Sequence, residues 1–173
     1  YFSSEKELLW QKDFKSYPKP SFEGELILLT SGDNNRIFLI DLNGNLTGEK
    51  MIDGRFLSDY AFVPNNGGAI LIFSGGEVVR INGKGNKIYS KDLNSKDFSF
   101  YKSVCVSPNG QFSAIHYIKN GNDYVSLLNS EGKSVYTYKL NSVYPHKIFL
   151  AIGKFGNLLI NSKDILDILD SSG

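Results

Sequence analysis

Apolar and polar positions along the chain repeat at an interval of about 43 residues. Three glycine-led apolar segments align without gaps at this interval and a fourth follows after 46 residues; they begin at Gly24, Gly67, Gly110 and Gly156. Two of these glycines end the turn sequences Pro-Asn-Asn-Gly and Ser-Pro-Asn-Gly, whose residues favour the fixed or positive φ of tight turns. Each repeat is therefore predicted to contain a hairpin that leads into a short apolar strand.

A second landmark recurs in each repeat, an Asp or Asn followed three residues later by Gly. It begins at Asp41, Asn82, Asn129 and Asp170. The short polar side chain is expected to accept hydrogen bonds from its own backbone, and the glycine to adopt the left-handed conformation. An apolar strand precedes each turn and an alternating strand follows it. One repeat then has four strands, which in the second repeat are Leu57–Val63, Ala69–Phe73, Glu77–Ile81 and Asn86–Leu93.

Four short antiparallel strands in every 40-odd residues are typical of a β-propeller blade, so we predict an all-β propeller. The chain would form a single domain over residues 1–173, with blades at 17–52, 56–93, 98–140, and 144–173 together with 1–14. The segment Ile165–Leu169 also fits a helical period, but the repeat alignment favours a strand.

The first residues match the fourth strand of the other repeats, whereas the last repeat stops before its own fourth strand. We therefore expect residues 8–14 to pair with Ile165–Leu169, which would close a four-bladed ring without exposed sheet edges. Two alternatives remain open at this point. The chain is part of a longer propeller, or two chains combine into an eight-bladed ring.

Composition excludes several classes of protein. Nineteen Lys and Arg against eighteen Asp and Glu leave a net charge of +1, so neither nucleic acid nor an anionic membrane surface is an expected partner. The longest apolar runs, Ala69–Phe73 and Ile148–Ile152, are much shorter than the roughly 20 residues of a membrane-spanning helix. The single cysteine, Cys105, cannot form an internal disulfide.

The chain begins at Tyr1, with neither an initiator Met nor an apolar leader. This start favours either a processed product or a piece of a longer chain. We expect an extracytoplasmic location, in the periplasm or outside the cell.

Three segments resemble known propeller repeats. Residues 24–44 resemble the NHL repeat, Val106–Gln111 resembles the Ser-Pro-Asp-Gly turn of TolB-like and WD40-like blades, and Glu7–Trp10 is similar to a strand of PQQ-like and BamB-like repeats. Each resemblance covers one blade, so the sequence indicates the propeller superfamily and no family within it. The PQQ resemblance implies a quinone only with a stacking Trp and a bound calcium ion; because Trp10 falls in an outer strand, no cofactor is expected. The BamB-like and NHL-like resemblances imply loops that hold a protein partner.

The titratable residues form no recognised catalytic or metal-binding motif, so no catalytic residue and no metal ligand is assigned. His116 falls in an alternating strand and is expected to be half-buried, with no nucleophile beside it. Asp41 begins a segment that is superficially similar to a calcium loop, but it lacks the Gly and Glu of an EF-hand. Asp164 and Asp167 would lie on opposite faces of a strand and could not share a metal ion.

Two similar corners, Tyr17-Pro18-Lys19 and Tyr144-Pro145-His146, precede the first strand of a repeat. Together with Arg55 they are the candidate binding residues: Tyr17, Lys19, Arg55, Tyr144 and His146. Tyrosine rings and cationic groups at one mouth of a ring suit an anionic or peptide ligand. The competing interpretation is structural, because Tyr-Pro also fixes an extended backbone.

These observations favour a non-catalytic binding or scaffold propeller, a monomer that holds a protein or another polymer. The alternative is a small enzyme of hydrolase or lyase type with a site in the central channel. Its candidate residues are those of the innermost strands and their connections, Asp59, Tyr60, Tyr101, Lys102 and Lys147.

Overall fold

The structure is a computed structural model that describes residues 8, 11, 18–21, 26–31, 36–52, 55–65, 67–93, 103–140, 148–162 and 165–172. Within these residues it contains fifteen strands and no helix. The first eight are β1 (Lys19–Pro20), β2 (Leu26–Thr30), β3 (Arg36–Asp41), β4 (Leu46–Met51), β5 (Leu57–Phe62), β6 (Ala69–Phe73), β7 (Glu77–Ile81) and β8 (Lys87–Asp92). The others are β9 (Val104–Val106), β10 (Phe112–Lys119), β11 (Asn122–Asn129), β12 (Ser134–Lys139), β13 (Phe149–Ile152), β14 (Leu158–Ser162) and β15 (Ile165–Leu169).

The strands form four separate antiparallel sheets, here called blades 1 to 4. Their strand orders are β1-β2-β3-β4, β5-β6-β7-β8, β9-β10-β11-β12 and β13-β14-β15. Each blade is a meander in which consecutive strands are neighbours, because short turns connect them. The strands predicted in the second repeat agree with β5 to β8 to within one residue at each end. Residues 165–169 form a strand paired with β14, as the repeat alignment predicted and the helical period did not.

The recurring Asp or Asn turn is confirmed. In the first three blades the side-chain Oδ1 accepts hydrogen bonds from the amides two and four residues further on, at 2.8–3.0 Å; the acceptors are Asp41, Asn82 and Asn129. The glycine of each turn has a φ between 77° and 79°. A register shift just before each turn marks a β-bulge between the third and fourth strands. The turn therefore accompanies the same one-residue shift of strand register in each of these three blades.

The core lies between blades rather than within them. Blade 1 packs on blade 2 through a cluster that includes Leu39 and Leu71. Blade 2 packs on blade 3 through Ile72 and Ile115, and blade 3 on blade 4 through Leu127 and other buried side chains. Because β-strands alternate their side chains, the two faces of blades 2 and 3 each join a different cluster.

The turns also contact the preceding blade at its outer edge. A Cβ on Gly48 of β4 would come within 2.4 Å of the Lys84 backbone, in the turn of blade 2. A Cβ on Gly132, in the turn of blade 3, would come within 2.7 Å of the Tyr89 ring of β8. The Gly132 carbonyl also accepts a hydrogen bond from Lys91 Nζ at 3.3 Å. These perimeter contacts place the backbone of one blade directly on the next.

The predicted pairing of residues 8–14 with β15 falls mainly outside the described residues. Of that segment the structure describes only Leu8, in an isolated bridge, and Gln11. Among the described strands, β15 pairs with β14. Closure of the ring stays a prediction. Within the part of the chain that the structure describes, no helix has the length and apolar character needed to cross a membrane.

Candidate functional site: the axial cavity

The first strands of all four blades end around one cavity of about 480 Å³. Each blade contributes from the carboxyl end of its first strand or from the residues just after it. The lining residues are Ser21 from blade 1, Phe62, Val63 and Pro64 from blade 2, Cys105, Val106 and Pro108 from blade 3, and Ala151 and Ile152 from blade 4. The cavity therefore lies where the four blades converge, on the propeller axis.

The cavity lining is apolar apart from the Ser21 hydroxyl and the Cys105 thiol. Burial raises the pKa of Cys105 to about 12, with a smaller contribution from the nearby Asp59 carboxylate. The thiol is therefore protonated near neutral pH and is a weak nucleophile. A cavity of this size and character suits an apolar or aromatic group rather than an anion.

Two of the inner titratable residues predicted from the sequence are described, Asp59 and Tyr60. Asp59 Oδ2 accepts a hydrogen bond from the Val104 amide at 3.1 Å, which connects the first strands of blades 2 and 3. Burial, and secondarily the charge of Asp59, raises the pKa of Tyr60. Asp59 therefore has a structural partner and Tyr60 stays protonated. Tyr101, Lys102 and Lys147 lie outside the described residues.

Arg55 lies two residues before β5, in the connection where it was predicted, but its charge is already compensated. The guanidinium forms an ion pair with the Glu77 carboxylate of β7. Its Nε donates to the Ile52 carbonyl oxygen at 2.9 Å, and the group lies 4.7 Å from the centre of the Phe73 ring. Any ligand of Arg55 would compete with these contacts, and its binding role stays a prediction.

Of the other candidate binding residues, the structure describes Lys19. Lys19 was expected in a connection, whereas its backbone lies in β1, paired with Leu28. Tyr17, Tyr144 and His146 lie outside the described residues.

His116 is more deeply buried than the sequence predicted. It was expected to be half-buried, but it is fully buried, with Nε2 at 2.7 Å from Asp123 Oδ1. The two side chains lie on the same face of the β10–β11 hairpin, since His116 pairs with Val125, two residues from Asp123. The Asn120-Gly121 turn sets this register and was the signal that could have revealed the pair. No solvent reaches the imidazole, so it does not serve as an exposed nucleophile.

No metal site emerges from the described part of the chain. There, no three His, Cys, Asp or Glu side chains are grouped closely enough to hold a metal ion. The segment that begins at Asp41 is superficially similar in sequence to a calcium loop. In the structure the Asp41 carboxylate accepts hydrogen bonds from the Asn43 and Asn45 amides.

Four antiparallel blades around an axial cavity define a β-propeller, and a comparison with solved structures supports this class. The C-terminal WD40 domain of Sif2 superposes on 88% of this chain with a TM-score of 0.62 at 13% sequence identity. The match covers 44% of that chain, so the present chain spans less than half the length of the solved protein. The predicted fold class and propeller superfamily are therefore confirmed.

The family follows from the sequence itself. The model of the arylsulfotransferase (ASST) family matches residues 12–158, which is most of the chain. The chain therefore belongs to the arylsulfotransferase family. No curated protein matches its sequence significantly. The local motifs of the chain specify no family within the propellers, because they recur across many propeller families.

Proposed function

We propose that this propeller is a non-catalytic binding module that receives an apolar or aromatic group of a protein or polymer partner in its axial cavity. The observation that carries the proposal is the lining of that cavity, to which blades 2, 3 and 4 contribute apolar side chains and blade 1 contributes Ser21. A volume of about 480 Å³ is sufficient for one or two aromatic rings. The chemistry nearby favours binding, because the Cys105 thiol stays protonated and Asp59 already has a hydrogen-bonding partner.

A ligand in this cavity would contact several blades at once. Val106 and Pro108 of blade 3 would supply apolar contacts beside Phe62 of blade 2. Removing their surfaces from water would provide most of the binding free energy. In sequence, the predicted binding residues Tyr17, Lys19, Arg55, Tyr144 and His146 precede or begin the first strands, whereas the cavity lies at the carboxyl ends of those strands. We therefore propose them as polar contacts to the partner that are separate from the inserted group. The extracytoplasmic location is part of this proposal and is tested by cell fractionation.

The experiment measures binding of short peptides that contain Trp or Phe, together with 2-naphthol as a minimal aromatic probe. We expect saturable binding that Pro108→Trp weakens at least tenfold, because the larger side chain occupies the cavity mouth. Asn43→Trp is the matched control, since Asn43 is an exposed turn residue of blade 1 away from the cavity. Equal binding by the Pro108→Trp variant and the parent protein would contradict the proposal.

The alternative function is catalysis, and membership of the arylsulfotransferase family favours it specifically. In this case an aryl sulfate would place its ring in the apolar cavity and transfer its sulfuryl group to a phenol. This function shares the aromatic ligand with the binding proposal, so ligand binding alone does not separate the two.

A transfer assay separates them. The protein is incubated with 4-nitrophenyl sulfate and a phenol, and release of 4-nitrophenol is followed with and without the acceptor. Acceptor-dependent release that Pro108→Trp abolishes would support the enzyme. Peptide binding without any turnover would support the binding module.

A further inference from the structure

The turns that follow the first strands of blades 2, 3 and 4 share one geometry. Each of these strands contributes its last residues to the axial cavity, so the turns border the cavity at the same end of the propeller. We call them the rim turns, and they begin at Pro64, Ser107 and Gly153. In each one a glycine amide donates to the carbonyl oxygen of the first turn residue at 2.9–3.2 Å; the donors are Gly67, Gly110 and Gly156.

Lys154 is the second residue of the rim turn of blade 4, a position that Pro108 occupies in blade 3. Pro108 lines the cavity, and so does Ile152, two residues before Lys154. The neighbouring Asn109 donates from Nδ2 to the Lys154 carbonyl oxygen at 2.9 Å. The backbone of Lys154 is therefore held beside the cavity lining both by its own blade and by blade 3.

The Lys154 side chain is exposed and brings a positive charge to this border. None of the ion pairs among the described residues includes it, and no other described residue of the rim turns is charged. The ammonium lies 5.9 Å from the centre of the Phe155 ring, which is 73% exposed. A cation–π contact at this distance is weak, so the N–H donors of the ammonium can still bind an anion.

An apolar cavity with a cation at its border suits a ligand whose aromatic ring and anionic group are separated. The described lining contains no charged group, so the anion would lie outside it. Adjacent residues of a peptide have Cα atoms about 3.8 Å apart. A carboxylate on the residue next to an aromatic one can therefore reach the rim turns while the ring stays in the cavity. An anionic group bonded directly to the ring would be drawn towards the apolar lining, where burial of its charge is costly.

We propose that the axial cavity recognises a segment of a protein partner in which an acidic residue adjoins an aromatic one, and that Lys154 binds the carboxylate. This inference rests on the proposed function and adds the charge of the partner segment to it. Phe155 would support the same contact, because its exposed ring lies beside the ammonium and can pack on the aliphatic part of the acidic side chain.

Isothermal titration calorimetry with two capped peptides tests the proposal. The peptides are identical except that Trp is followed by Glu in one and by Gln in the other. We expect the Glu peptide to bind about two- to fivefold more tightly at low ionic strength, since an exposed ion pair contributes modestly and is screened by salt. Lys154→Gln should remove this advantage.

The matched control is Lys119→Gln, which removes the same charge elsewhere and should keep the advantage of the Glu peptide. Lys119 ends β10, about 23 Å along the strand from Phe112, so it lies at the opposite edge of blade 3 from the rim turns. Circular dichroism confirms that both variants are folded, which is expected because Lys154 is exposed and its carbonyl contact does not involve the side chain.

Binding of the Gln peptide separates this inference from the proposed function. If the Gln peptide binds and Pro108→Trp weakens it, but Glu gives no gain or Lys154→Gln leaves the gain intact, the role of Lys154 is wrong while the cavity proposal stands. If neither peptide binds, the proposed function fails and this inference fails with it. A Lys154-dependent gain for 2-naphthyl sulfate over 2-naphthol, without one for the Glu peptide, would reject the acidic peptide in favour of an anion carried on the ring.

Discussion

Blades 3 and 4 derive from the same repeat but differ in how completely they are enclosed. Blade 3 has two central strands of eight residues, and five residues of each strand are buried. Blade 4 has shorter strands, and Phe149, Leu166 and Ile168 on one of its faces are each more than half exposed. The difference does not come from a shortage of apolar residues in blade 4, because its strands are rich in them and β13 is wholly apolar. It shows that a propeller repeat is stabilised by neighbours on both faces.

Replacing a central leucine by alanine should give the largest difference in the free energy of unfolding between blades 3 and 4. Leu127 of blade 3 is fully buried, so Leu127→Ala should lower the free energy of unfolding by about 2–5 kcal/mol. Leu159 of blade 4 is 36% exposed, and Leu159→Ala should cost less than about 1 kcal/mol. Urea denaturation measures both. Similar losses would mean that blade 4 is as enclosed in solution as blade 3.

The thiol of Cys105 reports whether the interface between blades 3 and 4 stays closed. Burial raises its pKa to about 12, so at pH 8 the folded protein holds very little thiolate. Alkylation should be at least about a hundredfold slower in the folded protein than in urea. The unfolded chain loses this proton first, so the free energy of unfolding should fall as the pH rises from 9.0 towards about 12. Equal labelling rates with and without urea would show that the interface opens readily.

The buried His116–Asp123 pair of blade 3 should have the next largest effect on the free energy of unfolding. Asp123→Asn removes the charge that faces His116 and should lower the free energy of unfolding by about 1–3 kcal/mol. Asp167 of blade 4 is partly exposed, and Asp167→Asn should stay within about 0.5 kcal/mol of the parent protein. Thermal and urea denaturation at pH 7 compare the two. If Asp123→Asn is neutral, the pair contributes nothing to the enclosure of blade 3.

Substitutions in the Asp or Asn turns should give the smallest difference in the free energy of unfolding between blades 3 and 4. Asn129→Ala removes an acceptor of two backbone hydrogen bonds and should cost about 1 kcal/mol. Asp170 accepts the Ser172 amide and the Ser172 hydroxyl, and both of these donors are exposed, so water can replace the lost acceptor and Asp170→Ala should cost less than Asn129→Ala. Because both turns are exposed, urea denaturation in 0.15 M salt is the appropriate measurement. A larger loss at Asp170 than at Asn129 would contradict this ranking.

Much of the fold could be predicted from the sequence because its signals are local. The turn from Asp41 to Gly44 needs only an acceptor and a glycine at fixed spacing, and that spacing recurs in each repeat. Strand bounds followed from these turns. The helical alternative at Ile165–Leu169 was rejected by the same repeat.

The candidate site was less accessible to prediction. The axial cavity exists only because residues far apart in sequence, such as Ser21, Val106 and Ile152, converge, and no local pattern encodes that convergence. The ion pair between Arg55 and Glu77 likewise joins residues that are 22 positions apart in the sequence, and no local pattern encodes it. The His116–Asp123 pair is intermediate, since the hairpin register could have indicated it.

The perimeter contacts through Gly48 and Gly132 have a consequence for how such chains lengthen. Each contact joins the turn of one unit to the outer strand of the unit before it, and glycine is required because a methyl group would strike its neighbour. Each repeat contains a turn that contacts the preceding blade and an outer strand that contacts the turn of the next blade. A duplicated repeat would therefore bring both contact surfaces with it. Copying whole repeats therefore preserves the spacing at the rim, whereas Gly132→Ala would push adjacent units apart and change the curvature of the array.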